Sequence, residues 1–235
     1  MIVFPLIATG ISAVFAALLY RQWASRRRMA QFAWAIALAM YAVASLMVTM
    51  AIADRWDGTL YRLFWLFGAM LNVPWLALGS VSLIGGKAAR ALAATIVGAM
   101  SAYGLVVVLG ADLDRGALAL VEGIPRGSKI WLDQTVRTLA RWYSIGGWLI
   151  VVGIALWSSR PHKGLRPPGE RVRANVLIAV GVSIVAIGGF ALTNVGQGAA
   201  FSVTLALGVI VMFGGFLLAS RAPRYRMEDP GESPT

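Results

Sequence analysis

LFWLFGAMLNVPWLALGSVSLIGG, Leu63 to Gly86, runs 24 residues without a charge between Arg62 and Lys87. At about 1.5 Å per residue such a helix is about 36 Å long, more than the roughly 30 Å of a hydrocarbon core. Near its middle lie Asn72, its most polar side chain, and Pro74, its only helix breaker. A soluble domain rarely hides a run of this length, so the stretch is read as a transmembrane helix.

The composition agrees. Of 235 residues 59% are hydrophobic, and the mean hydropathy is +0.74. Only 13% are charged, where a soluble domain carries about 25%. The net charge of +11 would suit nucleic acid, but the basic residues fall in short clusters between apolar runs, as in the loops of a membrane protein. No nucleic-acid partner is expected.

Outward from Leu63–Gly86, the charges divide the chain into seven apolar runs. Met1 to Tyr20 precedes Arg21, Arg26, Arg27 and Arg28. A secretory signal carries its positive charge ahead of its apolar core, not after it, so a retained first helix is expected. Met29 to Ala53 is the second span, Leu63 to Gly86 the third, Ala91 to Ala111 the fourth and Trp142 to Ser159 the fifth. Asp112 to Arg141 is the longest polar connection and is expected to carry a short interfacial helix around Leu113 to Glu122. Arg160 to Arg173, with three prolines, reads as an exposed basic loop. Ala174 to Ser220 has 47 residues without a charge, too many for one crossing. Thr193, Asn194, Gly196, Gln197 and Gly198 split it into a sixth and a seventh span.

The expected fold is therefore all-α: a polytopic membrane protein with seven transmembrane helices over residues 1–226 and a disordered tail, 227–235. Of the 21 Lys and Arg, 14 fall in the connections on one side and 7 on the other. The positive-inside rule then places the N-terminus outside and the C-terminus inside. The layout allows a 3+1+3 arrangement of two parallel halves, as in some transporters. Arginine outnumbers lysine 18 to 3, which suggests a GC-rich bacterial genome and hence a bacterial cell membrane.

Several chemistries lack their residues. There is no cysteine, and His162 is the one histidine, so thiol catalysis, iron–sulfur ligation and bis-histidine haem have no ligands within one chain. No cofactor is expected. An opsin-type Schiff base needs a lysine in the last helix, and Lys87, Lys129 and Lys163 all lie in connections. No Asp, Glu, Lys, Arg or His lies deep within a span, so proton relays lack their usual groups.

Three places could bind something. Asn72 and Pro74 put an amide beside a bend near mid-membrane, which could line a solute path or hold helices together. Asn194 and Gln197, with Thr193, could line a vestibule or form a tight turn. Asp54, Arg62, Asp112, Arg137 and Arg141, joined by Asp57 and Asp114, form an outer polar patch that could take a polar solute or simply pair at the interface. The paired glycines of the fifth to seventh spans (Gly146–Gly147, Gly188–Gly189 and Gly214–Gly215), with Gly153 and Gly181, are expected at close helix contacts. The leading functional expectation is a non-catalytic partner subunit, or a ligand-binding or sensor membrane protein. The alternative is a facilitator or channel-like transporter of a neutral or small polar solute. An enzyme is the weakest of the three. The partners expected are the lipid bilayer, another membrane protein or a second copy of the chain, and a small solute.

The charge asymmetry makes the orientation testable. A reporter fused after Arg226 is expected to read cytoplasmic, and one inserted at Gly127 extracytoplasmic; the reverse pattern would overturn the assignment.

Overall fold

In hydrocarbon a backbone N–H or C=O finds no water, so a spanning segment must satisfy its own hydrogen bonds, and a helix does so within one segment. The computed structural model describes residues 2–121, 123–125, 127–159, 169–194 and 198–221. Their spanning elements are α1 (Val3–Arg26), α2 (Met29–Ala53), α3 (Gly58–Ile84), α4 (Lys87–Gly110), α7 (Gln134–Ser158), α8 (Gly169–Asn194) and α9 (Gly198–Arg221). Two short helices, α5 (Arg115–Ala119) and α6 (Gly127–Ile130), lie between α4 and α7. Among the described residues seven helices are long and apolar enough to cross a membrane, so the all-α, seven-helix fold stands. The basic loop 160–168 and the tail lie outside the described residues.

The helices extend further than their apolar runs. α1 continues through Arg21 to Arg26, because an arginine lets its apolar stem follow the helix while the guanidinium reaches the interface. It stops where Arg27 turns left-handed, with φ 50°. There the Arg27 N–H bonds the Trp23 carbonyl at 2.7 Å, and its guanidinium lies 4.9 Å from the Trp23 ring centroid. α3 begins at Gly58, where Asp57 caps the N–H groups of Thr59 and Leu60 at 2.6 and 2.8 Å. α4 begins at Lys87, ahead of the expected Ala91, and Arg90 Nε returns to the Gly85 carbonyl at 2.7 Å. α7 begins at Gln134, ahead of the expected Trp142, because Asp133 caps Thr135. The expected interfacial helix is present but shorter, at Arg115–Ala119, capped by Asp114.

The two bonds that Asp133 accepts from Thr135, the backbone one first, hold its carboxyl below the usual aspartate range. Its contribution to the fold is thus present above the ordinary aspartate pKa and fades only as pH falls through the lowered value.

α8 packs chiefly on α9 and α1 on α2; α2 lies against α3, α3 against α7, and α1 closes on α9. α2 and α3 form the centre. α4 is peripheral: 17% of its spanning window is buried, against 61% for α2.

Close helix approach depends on a few glycines. Trp34 of α2 lies where a Cβ on Gly79 of α3 would be. A Cβ on Gly147 of α7 would fall 2.9 Å from the carbonyl carbon of Val73, and one on Gly181 of α8 2.7 Å from the Gly208 oxygen of α9. The expectation that the paired glycines all serve contacts needs correction. Gly146 and Gly214 face open space, since a helix doublet can turn only one member toward a neighbour, and the single Gly153 faces open space as well.

This asymmetry predicts opposite outcomes on adjacent residues. Gly147→Val would drive a side chain into the α3 backbone and is expected to cost about 1–3 kcal/mol. Gly146→Ala is expected to leave the thermal melt in detergent unchanged or slightly raised. Equal losses at both positions would contradict the α3–α7 packing.

Candidate functional site

The sequence points first to the middle of α3, and the backbone there is unusual. Gly58–Leu63 is α-helical, Phe64–Leu71 is a π-helix, and Asn72–Ile84 is α-helical again. Pro74 has no N–H, so a carbonyl one turn earlier loses its donor. In α geometry that carbonyl belongs to Met70; in π geometry, one residue further back, it belongs to Ala69. Ser144 of α7 donates its Oγ–H to the Ala69 carbonyl at 2.7 Å. A side chain from the neighbouring helix thus occupies the gap that the proline opens. Asn72 does not fill that role. It is 4% exposed, and its Oδ1 is buried without a partner.

Similar pins tie the other spans together. Trp34 Nε1 and Ser80 Oγ both donate to the Leu76 carbonyl, at 3.1 and 3.0 Å. Trp75 Nε1 donates to Ser101 Oγ at 3.1 Å and Trp148 Nε1 to Ser183 Oγ at 3.0 Å; these serines donate in turn to the carbonyls of Val97 and Ala179. Tyr41 of α2 donates to the Leu205 carbonyl of α9 at 2.8 Å. Intramembrane serines and indoles here act as bolts between helices.

A cavity of about 40 Å³ lies among Phe15, Trp34, Leu38, Ser80, Val182 and Met212. That is room for one or two waters, and its wall is nearly all apolar. A shallow groove of about 300 Å³ runs beside Gln134, Thr135, Thr138, Leu139 and Trp142. Asn72 and Pro74 line neither. Asn194 is the last residue of α8; its side chain, and Gln197 altogether, lie outside the described residues.

The outer polar patch divides. The Arg62 guanidinium donates to the carbonyls of Val108 and, at 3.0 Å, Leu109, so it caps the C-terminal end of α4, where positive charge is favoured. It also lies 5.8 Å from the Trp131 ring centroid. Arg137 is half-buried and within electrostatic reach of the Tyr61 hydroxyl. Asp54, Asp112 and Arg141 are exposed. Asp57, Asp114 and Asp133 act as helix caps.

The described residues between 111 and 133 fold over this end as a flap. Its base is a single bridge, with Asp114 N–H on the Ile130 carbonyl at 2.9 Å and Leu132 N–H on the Asp112 carbonyl at 3.2 Å. Its Leu118, Ile124, Ile130 and Trp131 are buried, and Trp56 Nε1 donates to the Gly123 carbonyl. The flap sets Trp131 against Tyr61 and Trp65 of α3. Sequence reasoning missed this aromatic cluster. Tyr61 and Trp65 at helical spacing were a usable signal, but nothing in the order of residues brought Trp131 to them. Among the described residues no three His, Asp or Glu side chains gather as a metal site would require.

The class defined by this fold is a multi-pass membrane protein with seven spanning helices. Compared with known proteins, the chain finds no match among family models, curated proteins or solved structures.

The pin on α3 carries a direct prediction. Ser144→Ala leaves the Ala69 carbonyl without its side-chain donor and is expected to destabilise by about 0.6 kcal/mol, with about 1.7 as the upper bound for such bonds. Ser80→Ala is expected to cost less, because Trp34 still serves the Leu76 carbonyl. Thermal melts of both variants in one detergent make the comparison, and a greater loss for Ser80→Ala would contradict it.

Proposed function

We propose that this membrane protein acts by binding, as a non-catalytic partner subunit, with the flank of α4 as the surface that receives a partner's transmembrane helix. The supporting observation is the poor coverage of α4, of whose spanning window 17% is buried. Ala91, Thr95, Gly98 and Ala102 are exposed along it at spacings of three and four, and nothing stands within 4 Å of a Cβ at Gly98. Small residues at these spacings let two helix backbones come close in lipid. The interior supports the same reading. Ser80, Ser101, Ser144 and Ser183 are bound to backbone carbonyls, so these hydroxyls serve packing where a hydrolase would need a base beside one of them.

One observation favours the transporter reading: the Asn72 Oδ1 is buried without a donor, as an amide awaiting a polar solute would be. The two readings separate experimentally, and the absence of native cysteine makes single-site chemistry clean. A photo-crosslinker at Gly98 of α4 is expected to give one discrete protein adduct in native membranes. The same probe at Leu149 of α7, which is 57% exposed, is expected to give lipid adducts only. Lipid adducts at both positions would overturn the subunit reading. Loss of solute flux in Asn72→Leu at an unchanged melting temperature would establish the transporter.

A further inference from the structure

Among the described residues Arg27 is the one residue other than glycine with a positive φ. Just past a helix end, glycine takes this left-handed form without cost, because it has no Cβ to clash. The chain has 26 glycines, yet an arginine stands here. Its conformation is fixed twice over. The backbone N–H bonds the Trp23 carbonyl at 2.7 Å, and the guanidinium lies 4.9 Å from the Trp23 ring centroid. Trp23 is held in turn, with its ring centroid 5.3 Å from that of Tyr20 and 4.8 Å from that of Phe32 in α2. Arg27 is nonetheless exposed, as are Arg21, Arg26 and Arg28. A sparsely populated backbone conformation that presents a pinned, exposed cation is an outlier from which a functional reading can start.

Depth and charge say what that cation meets. The 24 residues of α1 extend about 36 Å, past the roughly 30 Å of a hydrocarbon core. Its last turn, Trp23–Arg26, therefore stands at the level of lipid headgroups. Val14 and Tyr20, exposed on the same helix, lie beside the acyl chains below them. No Asp or Glu precedes Asp54. Lys87 and Arg173 are also exposed at this end of the bundle, and Glu170 is the one carboxylate there among the described residues. The bias of basic residues to one side of a membrane accounts for their number. It does not require that any one of them be pinned, and Arg27 is. A guanidinium held over an indole keeps N–H donors for phosphate oxygens, which arginine binds in bidentate fashion.

We infer that the α1–α2 turn is a contact site for anionic phospholipid, in which Arg27, held over Trp23, donates to the headgroup phosphate while Arg26 and Arg28 supply flanking positive charge. The turn is not part of the α4 face, so the site does not rest on the subunit reading.

The test follows the thermal melt of the full chain in a neutral maltoside detergent. Phosphatidylglycerol, phosphatidylcholine or inorganic phosphate is titrated at constant ionic strength. A saturable rise in melting temperature is expected with phosphatidylglycerol only. Arg27→Gly removes the side chain and suits the left-handed backbone, so the melt without lipid is expected to hold or rise. Its phosphatidylglycerol midpoint is expected to weaken about fivefold, the worth of one basic residue near an anionic surface. Arg173→Gln, which removes an exposed cation elsewhere at this end, is expected to shift the midpoint by less than about twofold, because exposed charges at a distance are screened. A flat melt with phosphatidylglycerol, or an equal rise with phosphatidylcholine or inorganic phosphate, would overturn the lipid site. An unchanged midpoint in Arg27→Gly, or equal losses in both variants, would overturn the contact assigned to Arg27. A response that appears only after Glu228→Gln, Asp229→Asn and Glu232→Gln together would give the turn to the chain's own acidic stretch and overturn the lipid site as well.

Discussion

A proline in the middle of a membrane span frees a carbonyl that lipid cannot satisfy, and the arrangement of this protein follows from how that carbonyl is served. Pro74 sits in α3, the helix that shares faces with α2, α4 and α7. The Ser144 hydroxyl reaches the Ala69 carbonyl from α7. It can do so because Gly147, one turn along α7, lets that helix lie against the backbone at Val73. The π-helical register of Phe64–Leu71 shifts the gap one residue toward the start of α3, which makes Ala69 the acceptor. Backbone defect, polar pin and small-residue contact form one unit.

From that strut the two ends of α3 take different roles. Toward the basic turns, Trp34 fills the space beside Gly79 and bonds the Leu76 carbonyl, and the core there is apolar with a cavity of about 40 Å³. Toward the flap, Arg62 holds the end of α4, and Tyr61 and Trp65 meet Trp131. Aromatic rings gather at the flap end, and the least buried spanning window lies on α4.

The spans were legible in the sequence because a hydrocarbon core demands long uncharged runs; length required that Ala174–Ser220 be divided, and the polar and glycine residues at 193–198 placed the division between α8 and α9. Helix ends were less legible. Charges are read as boundaries, yet Arg26, Lys87 and Arg141 lie inside helices, with arginine stems and aspartate caps extending them past the apolar core. The Asn72–Pro74 defect was visible, but not the residue that answers it: Ser144 is 75 positions away from Ala69. The outer patch looked like one cluster by count of charges, whereas the fold commits Arg62 to helix carbonyls and leaves Asp54, Asp112 and Arg141 in the open. Pairings across a bundle depend on which helix face turns inward, and a nearly uniform apolar sequence carries little of that information.

The central claim is that the bundle is closed at mid-membrane. The chain has no native cysteine, so a single Asn72→Cys in lipid nanodiscs reports on that point alone. Thr138→Cys, on the wall of the shallow groove beside Gln134 and Trp142, serves as the accessible reference. The account predicts that a small charged thiol reagent modifies Cys at position 138 within minutes and leaves position 72 unmodified. Comparable labelling at position 72 would show a water-filled path to the middle of α3 and contradict the closed interior.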